Sequence, residues 1–148
     1  MAVGMDLRAR REAVIQQHVE AENGHNPAGV VASFAQPRYD VPAMGPLGQA
    51  QGADAVAALI GSLFAGFPDW HATPGPLHHA DAAVFVEVQM TGTQQGEFAG
   101  IPPTGRKMDV RVGCLFEFEE DRLLCERVYF DFATVLQQLG AMPAPATA

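Results

Sequence analysis

A carboxylate at the end of a strand-like segment is the residue of this chain best suited to do chemistry. The apolar run that begins at Leu123 stops at Asp131, and Tyr129 and Arg127 come two and four residues before it. Strand residues alternate between two faces, so the three side chains are expected to point the same way. If that face lines a pocket, the sequence predicts a base, a hydroxyl donor and a cation in one row.

The hairpin that contains this segment determines which residues accompany it. Polar residues 119–122 form a turn after the strand predicted over 107–119, and pairing Phe118 with Leu123 would fix the register. The pairs that share a face would then be Phe116 with Cys125, Cys114 with Arg127, Val112 with Tyr129, and Val110 with Asp131. This first face is apolar except for its three polar side chains, which is typical of a closed pocket with a few polar groups.

The two faces of this hairpin suggest different roles. On the first face, Asp131 could serve as a base for proton abstraction beside a carbonyl. The alternative there is purely structural, a buried ion pair between Arg127 and Asp131 with Tyr129 hydrogen-bonded to one of them. The second face mixes charged residues with Leu115 and Phe130, and we expect it to form a homodimer surface.

Hydrophobic periodicity places helices first along the chain and strands after them. The pattern predicts helices over 6–23, 27–34, 54–67 and 132–139, and strands over 37–41, 70–79, 82–94, 107–119 and 123–131. Asn26 and Asp54 are predicted to cap the second and third helices, and His18 is expected on the buried face of the first. This order indicates an α+β fold, with helices packed on one face of a bent antiparallel sheet.

Composition indicates a globular protein and excludes several classes of function. The chain has 148 residues, of which 48% are hydrophobic, and its net charge of −8 argues against a nucleic-acid or anionic-membrane surface. We expect a single domain over 1–148, with its core in about 6–140 and a mobile tail over 141–148. No apolar run has the length of a membrane span, so a cytoplasmic protein is predicted. Cys114 and Cys125 are expected to be buried reduced thiols.

Several short segments of the chain resemble one known family. They are Phe67-Pro68-Asp69, Thr91-Gly92-Thr93, the loop Gly100-Ile101-Pro102-Pro103-Thr104-Gly105-Arg106, and Asp131 followed by Leu136-Gln137-Gln138-Leu139-Gly140. Through these segments the chain resembles the SnoaL-like family, and the resemblance covers roughly residues 6–140. That family includes polyketide ester cyclases and belongs to the nuclear-transport-factor-like superfamily, with ketosteroid isomerases and limonene epoxide hydrolases.

The resemblance implies a fold and a chemistry. The family fold is a cone, a strongly curved antiparallel sheet wrapped around helices, and its members are commonly dimers. In its polyketide cyclases the aspartate that matches Asp131 is the general acid/base of an intramolecular aldol ring closure, with no metal or organic cofactor. Carried over to this chain, Asp131 would remove the proton, and Tyr129 or an imidazole in the pocket would stabilise the enolate.

Further residues are expected to contact a hydrophobic substrate. Many family members have Thr-Gly-Thr-His where this chain has Thr91-Gly92-Thr93-Gln94, and Gln94 can hydrogen-bond a carbonyl but cannot exchange a proton at neutral pH. The predicted substrate-binding residues are Gln94, Arg127, Val110, Val112, Met90, Met108, His71 and Tyr39. No metal site is predicted, because His78 and His79 would point to opposite sides of a strand.

Two other functions stay open from the sequence. Arg38 with Asp40, and Asp109 with Arg111, resemble the Asp/Arg groups with which epoxide hydrolases of this superfamily activate water. The second pair would lie on the outer face of the sheet, but the first could face the mouth of the cone. A non-catalytic small-ligand binding protein is the other alternative. The sequence favours a cofactor-independent cyclase or isomerase.

Overall fold

One sheet of six strands, with helices packed against it, forms the structure, a computed structural model that describes residues 3–142. The helices are α1 (Met5–Asn23), α2 (Pro27–Ala32), α3 (Ala53–Gly66) and α4 (Phe132–Gln138). The strands are β1 (Arg38–Asp40), β2 (Gln49–Gln51), β3 (His71–His79), β4 (Ala83–Thr93), β5 (Lys107–Glu119) and β6 (Arg122–Tyr129), and a 3-10 segment covers Pro42–Gly48. The predicted α+β class is confirmed, while residues 143–148 of the predicted tail lie outside the described residues.

The sheet is antiparallel with one exception. Its strand order is β2-β1-β6-β5-β4-β3, and the short β1 runs parallel to β6. β3 forms one edge, where Pro74 and Pro76 are tolerated because an edge strand needs fewer backbone donors. The sheet does not close into a barrel, so one of its faces is left for the helices to cover.

Local sequence explains where two of the helices begin. The Asn26 side chain accepts a hydrogen bond from the Gly29 backbone at 3.0 Å, with Pro27 in the first turn of α2, so this predicted cap is confirmed. The predicted cap at Asp54 is wrong. Gly52 precedes α3 with a φ of 91°, and Asp54 lies in the first turn, where its charge complements the helix dipole.

The buried side of α1 is unusual because most of it is polar. Its buried residues are Arg11, Ile15, His18 and Glu22, at helical spacing. The Arg11 guanidinium hydrogen-bonds the backbone carbonyls of Glu120, Ala80 and Asp81. The position expected for His18 is confirmed, and the helix brings Glu22 to the same face one turn later.

A β-bulge in the last hairpin overturns part of the predicted register. Phe118 does pair with Leu123, but the ladder shifts next to that pair, and Leu124 becomes an extra residue without a partner. Beyond the shift, Phe116 lies opposite Glu126.

A one-residue shift moves every later side chain of a strand to the other face. Glu126 and Val128 therefore point inward and are buried, whereas Tyr129 is 48% exposed. The prediction that Arg127, Tyr129 and Asp131 share the apolar face of β5 is wrong for this reason.

The inward face of β5 is otherwise as predicted. Its side chains are all buried, namely Met108, Val110, Val112, Cys114, Phe116 and Phe118. Cys114 and Cys125 are buried and free, which agrees with the expected thiols. Among residues 3–142, no helix combines the length and the apolar character that crossing a membrane requires.

Candidate functional site

A cavity of about 500 Å³ lies between the inner face of the sheet and the covering helices. Its wall is largely apolar and includes Ile60, Leu63, Met90, Met108, Val112 and Val128. At one end the lining residues are buried, and at the other they are exposed, as Leu47 is with 65% of its surface accessible. The volume lies within the range of small-molecule sites.

Polar side chains gather at the buried end of this cavity. Glu22 from α1, Tyr39 from β1 and Glu126 from β6 all line it, and each is at most 5% exposed. Behind them lies His18, which is fully buried. Three separate elements therefore bring two carboxylates, a phenol and an imidazole to one place.

The imidazole of His18 holds this cluster together. Its Nε2 lies 2.8 Å from Glu126 Oε2 and 3.3 Å from Glu22 Oε1. Tyr39 Oη is 2.9 Å from the same nitrogen, and the Tyr39 hydroxyl donates to Glu22 Oε2 at 3.3 Å. We refer to His18, Glu22, Tyr39 and Glu126 as the buried cluster.

The other ring nitrogen of His18 fixes the orientation of the imidazole. Nδ1 lies 2.8 Å from Ser33 Oγ, and the Ser33 hydroxyl donates its hydrogen to the Val30 carbonyl at 2.6 Å. Ser33 must then accept from Nδ1–H, because its only hydrogen is already used. Nε2 is thereby directed at the two carboxylates.

Burial and charge act on the pKa values of the cluster in opposite directions. Burial alone would lower the pKa of His18, but the charges of Glu22 and Glu126 outweigh it and raise that pKa to about 10. Burial raises the pKa of the Glu22 carboxyl, and the His18 charge offsets part of that effect. Burial also raises the pKa of Tyr39 well above its usual value, so the phenol stays a donor.

Three side chains of the buried cluster are of types that can also bind a metal ion. The ligand atoms of His18, Glu22 and Glu126 lie within 4.8 Å of one another, and they form the one such group among residues 3–142. The distance of 2.8 Å between Nε2 and the Glu126 oxygen is that of a charge-assisted hydrogen bond. In this arrangement a proton joins the two groups.

The predicted site residues divide into two sets. Five of the predicted substrate-binding residues line the cavity: Tyr39, Met90, Met108, Val110 and Val112. Five other predicted residues do not belong to its lining: His71, Gln94, Arg127, Tyr129 and Asp131. The structure gives no support to this second set as pocket residues, and their predicted contacts with a substrate stay predictions.

Asp131 begins the last helix. Its carboxylate accepts hydrogen bonds from the Ala133 backbone at 3.0 Å and the Thr134 hydroxyl at 2.7 Å. The hydrogen bonds from Thr134 are the main cause that lowers the pKa of Asp131. An exposed carboxylate with a lowered pKa is a weaker base than a free one, and its observed work is to cap α4. Its catalytic role stays a prediction, without support from this position.

Arg127 and Tyr129 lie on the outer face of the sheet because of the bulge. Arg127 Nε is 3.1 Å from Glu117 Oε1, and its Nη1 is 3.9 Å from Asp40 Oδ2. The proposed ion pair of Arg127 with Asp131 is therefore replaced by partners on neighbouring strands. Asp40 is thus drawn toward Arg127, and neither it nor Arg38 is part of the cavity lining.

Gln94 is buried in a loop and does not reach the cavity. Its side-chain nitrogen donates to the carbonyls of Ile101 at 3.0 Å and Pro102 at 3.2 Å, and its oxygen accepts from Thr104 Oγ1 at 2.7 Å. The amide is fully used by the loop that follows it. Residues 96–100 of that loop line the open end of the cavity. The hydrogen bonds of Gln94 therefore stabilise the loop that forms this end, without a contact to the cavity itself.

His71 is exposed at the start of β3, and His79 contacts Glu12 rather than a metal partner, with Nε2 to Oε1 at 2.8 Å.

Sequence reasoning missed Glu22 and Glu126 as site residues. The spacing of His18 and Glu22, one helical turn apart on a buried face, was the available signal. The sequence offered no comparable signal for Glu126, because its face depends on the bulge.

Comparison with known proteins agrees with this architecture. The family model of the SnoaL-like polyketide cyclases matches residues 12–139. The chain belongs to the SnoaL-like family. A comparison with curated proteins gives no match.

Solved structures of the same fold come from several bacteria. A proposed SnoaL-like polyketide cyclase from Jannaschia sp. CCS1 is 21% identical over 97% of this chain and 100% of that one, with a TM-score of 0.81. AclR, a proposed hydroxylase from Streptomyces galilaeus, is 22% identical over 93% of this chain and 85% of its own, with a TM-score of 0.76. TerC, co-crystallised with polyporic acid, is 10% identical over 88% of this chain and 98% of its own, with a TM-score of 0.74.

At these identities the solved structures show the fold alone. The family match supports a small-molecule role of the polyketide-cyclase type for this SnoaL-like protein. The fold and the family do not identify the reaction or the residues that perform it. The buried cluster is the candidate for those residues.

Proposed function

We propose that this SnoaL-like protein is an acid/base enzyme that moves a proton on a hydrophobic carbonyl compound, and that the buried cluster does this work. The observation that carries the proposal is the pair of carboxylates at the buried end of a largely apolar cavity, Glu22 and Glu126 with His18 between them. Perturbed titratable groups in such a cavity are the usual mark of a catalytic site.

Charge balance gives the cluster its capacity to exchange a proton. The imidazolium of His18 carries one positive charge, whereas Glu22 and Glu126 together carry two negative charges when both are ionised. One carboxylate is thus left without a cation of its own in a buried place, and burial raises the pKa of Glu22. Glu22 is therefore the group that we assign as general base and, after proton uptake, as general acid.

The proposed reaction follows from these positions. Glu22 takes a proton from the carbon next to the substrate carbonyl, and the electron pair of that C–H bond moves to the carbonyl oxygen. As Glu22 gains the proton, the Tyr39 hydroxyl turns its one hydrogen from Glu22 to the enolate oxygen and stabilises the charge there. Return of the proton to another carbon gives isomerisation. Attack of the enolate on a second carbonyl of the same molecule, with the proton passing to the new alkoxide, gives ring closure.

Other cluster members hold the base in place. Glu126 accepts from His18 Nε2, and Ser33 accepts from Nδ1, so the imidazole cannot rotate away from Glu22. The wall around the cluster is largely apolar, and a less polar surrounding strengthens the electrostatic effect of each polar group. The co-crystal of TerC with polyporic acid supports an organic small molecule as the kind of ligand that this fold accommodates.

A test that needs no knowledge of the natural substrate is deuterium exchange. In D2O, the protein should accelerate exchange of the α-protons of a bicyclic ketone such as 2-tetralone, followed by NMR. Glu22→Gln keeps the shape of the side chain but removes the base, and it should abolish the acceleration. Glu97→Gln is the matched control, because Glu97 lines the open end and is exposed. No acceleration by the wild type with any of several bicyclic ketones would contradict the proposal.

A homodimer and a cytoplasmic location are further parts of this proposal. The outer face of the sheet presents Phe85, 38% exposed, and Tyr129, 48% exposed, and exposed aromatic residues are common at protein interfaces. Light scattering coupled to size exclusion should give twice the chain mass. Tyr129→Glu should shift it toward the monomer, and a monomeric wild type would contradict the dimer.

A further inference from the structure

We propose that the cavity selects hydrophobic ligands that carry an ammonium group, and that this group binds beside Glu22 and Glu126. The proposal rests on the proposed function only in taking the same cavity as the ligand site. It does not depend on the proton-transfer step, so binding and turnover can fail separately.

The charges on the cavity wall are all of one sign. Among residues 3–142, the acidic side chains that line the cavity are Glu22, Glu97 and Glu126, and no lysine, arginine or histidine lines it. Two of these carboxylates lie at the buried end and the third at the mouth. A ligand carboxylate or phosphate would therefore meet like charge along the whole cavity and find no cation there.

Two cationic side chains on the elements around the cavity, His18 and Arg127, already have partners. His18 lies behind the carboxylates and has both ring nitrogens in hydrogen bonds, with Ser33 and with Glu126. Arg127 is on the opposite face of the sheet, next to Glu117 and Asp40. Neither can turn to neutralise an anionic ligand without losing these partners.

An ammonium ion would complete the charge balance of the buried cluster. Two carboxylates would then face two cations, the imidazolium of His18 and the ligand. The alternative is a proton on Glu22, which would favour a neutral ligand, and the two cases predict different orders of binding. An interaction between opposite charges away from water is little screened, so its contribution should survive added salt.

The rest of the lining suits an organic cation. Aromatic residues from four parts of the chain line the cavity, namely Tyr39, Trp70, Phe98 and Phe130. The faces of such rings attract organic cations. The combination of aromatic walls and carboxylates at the closed end is what a hydrophobic amine requires.

A series of ligands with one skeleton tests the proposal. We would measure binding of 2-naphthylmethylamine, 2-naphthylmethanol and 2-naphthoic acid to the wild type at pH 7 by calorimetry. The amine should bind about tenfold or more tightly than the alcohol, and the acid most weakly. The preference for the amine should persist in 0.5 M NaCl, about the salt range in which exposed charges are largely screened. An alcohol or acid that binds as tightly as the amine would overturn the proposal.

Substitutions locate the preference within the molecule. Glu22→Gln and Glu126→Gln should each lower the ratio of amine to alcohol affinity by about tenfold, that is, toward one. Glu87→Gln is the matched control, because it changes the net charge equally but lies exposed on the outer face, near Arg111. An amine preference unchanged in both cavity variants would place the site elsewhere and overturn the proposal.

The design remains decisive if a cavity variant does not fold. Circular dichroism identifies such a variant, and the ligand order and salt response of the wild type then decide the proposal alone. If the wild type accelerates ketone exchange but does not prefer the amine, this inference is rejected and the proposed function stands. If the wild type prefers the amine but does not accelerate exchange, the proposed enzyme is rejected and the amine site stands.

Discussion

Asp131 and the carboxylates of the buried cluster are all associated with strand β6 but lie in opposite environments. Asp131 follows the strand, Glu126 belongs to it, and Glu22 shares the partner His18 with Glu126. Asp131 is exposed at the end of the strand, and hydrogen bonds from Thr134 lower its pKa. Glu22 is buried next to His18, and burial raises its pKa. A carboxylate with satisfied hydrogen bonds in water stabilises structure, whereas one that is buried with an incomplete charge balance can exchange a proton. The environment, not the residue type, separates the two.

The largest expected difference between these regions is in catalysis. In the deuterium-exchange assay, Glu22→Gln should lower the rate about 10²-fold or more, which is the range for loss of a general base. Asp131→Asn, which can still accept the capping hydrogen bonds, should keep the rate within about threefold of wild type, because general acid/base effects need contact with the reacting group. Comparable losses in the two variants would return Asp131 to the catalytic site.

The next largest effect concerns the stability of the fold. His18→Leu leaves two buried carboxylates without their cation, and breaking a buried ion pair in this way costs about 3–5 kcal/mol. We expect urea unfolding to show a loss of that order. His71→Leu, at an exposed position, is the control and should change stability by less than about 0.5 kcal/mol. A small effect at His18 would mean that the buried cluster contributes little to folding.

The sequence was sufficient for much of this fold. The order of the helices and of five of the six strands followed from periodicity, while β2 in the predicted loop 45–52 was missed; the N-cap at Asn26 and the apolar inner face of β5 followed from local rules. Those features depend on neighbours within a few residues of each other. The residue that sequence reasoning placed in the core of α1, His18, is the centre of the candidate site.

The bulge at Leu124 could not be predicted in the same way. Nothing in the segment Leu123-Leu124-Cys125 marks an extra residue, since each would pack on either face. Tertiary packing decides which face each of these residues takes, because the register shift buries Glu126 beside His18 and leaves Arg127 near Glu117. The one unpaired residue, Leu124, therefore turns Glu126 into the cavity wall and Arg127 and Tyr129 to the outer face.

The two regions should respond to pH in opposite directions. His18 has a usual pKa of 6.5 and one of about 10 in the fold. The stability that its proton contributes is complete below 6.5 and is lost as pH rises toward 10, by a total on the order of a few kcal/mol. Urea midpoints measured between pH 6.5 and 9 should fall in the wild type and fall less in His18→Gln. Equal slopes in both proteins would show that His18 is not the group responsible.

Asp131 contributes in the other direction. The pKa of Asp131 is lowered in the fold, so its contribution is present above its usual 3.8 and is lost as pH falls through the folded value. Thermal unfolding at pH 7 and at pH 3 should therefore differ less in Asp131→Ala than in the wild type. An unchanged difference would indicate that the cap hydrogen bonds do not hold the charged form in solution.

The smallest expected effect separates capping from catalysis at Asp131 itself. Asp131→Ala removes the acceptor for the backbone of Ala133 and should lower the melting temperature slightly. Asp131→Ser supplies another capping oxygen and should restore most of that loss, although serine cannot act as a base near neutral pH. If serine restores both the melting temperature and the exchange rate, the carboxylate is needed only to begin α4. If serine restores the melting temperature but not the exchange rate, the Asp131 carboxylate has a chemical role besides capping α4.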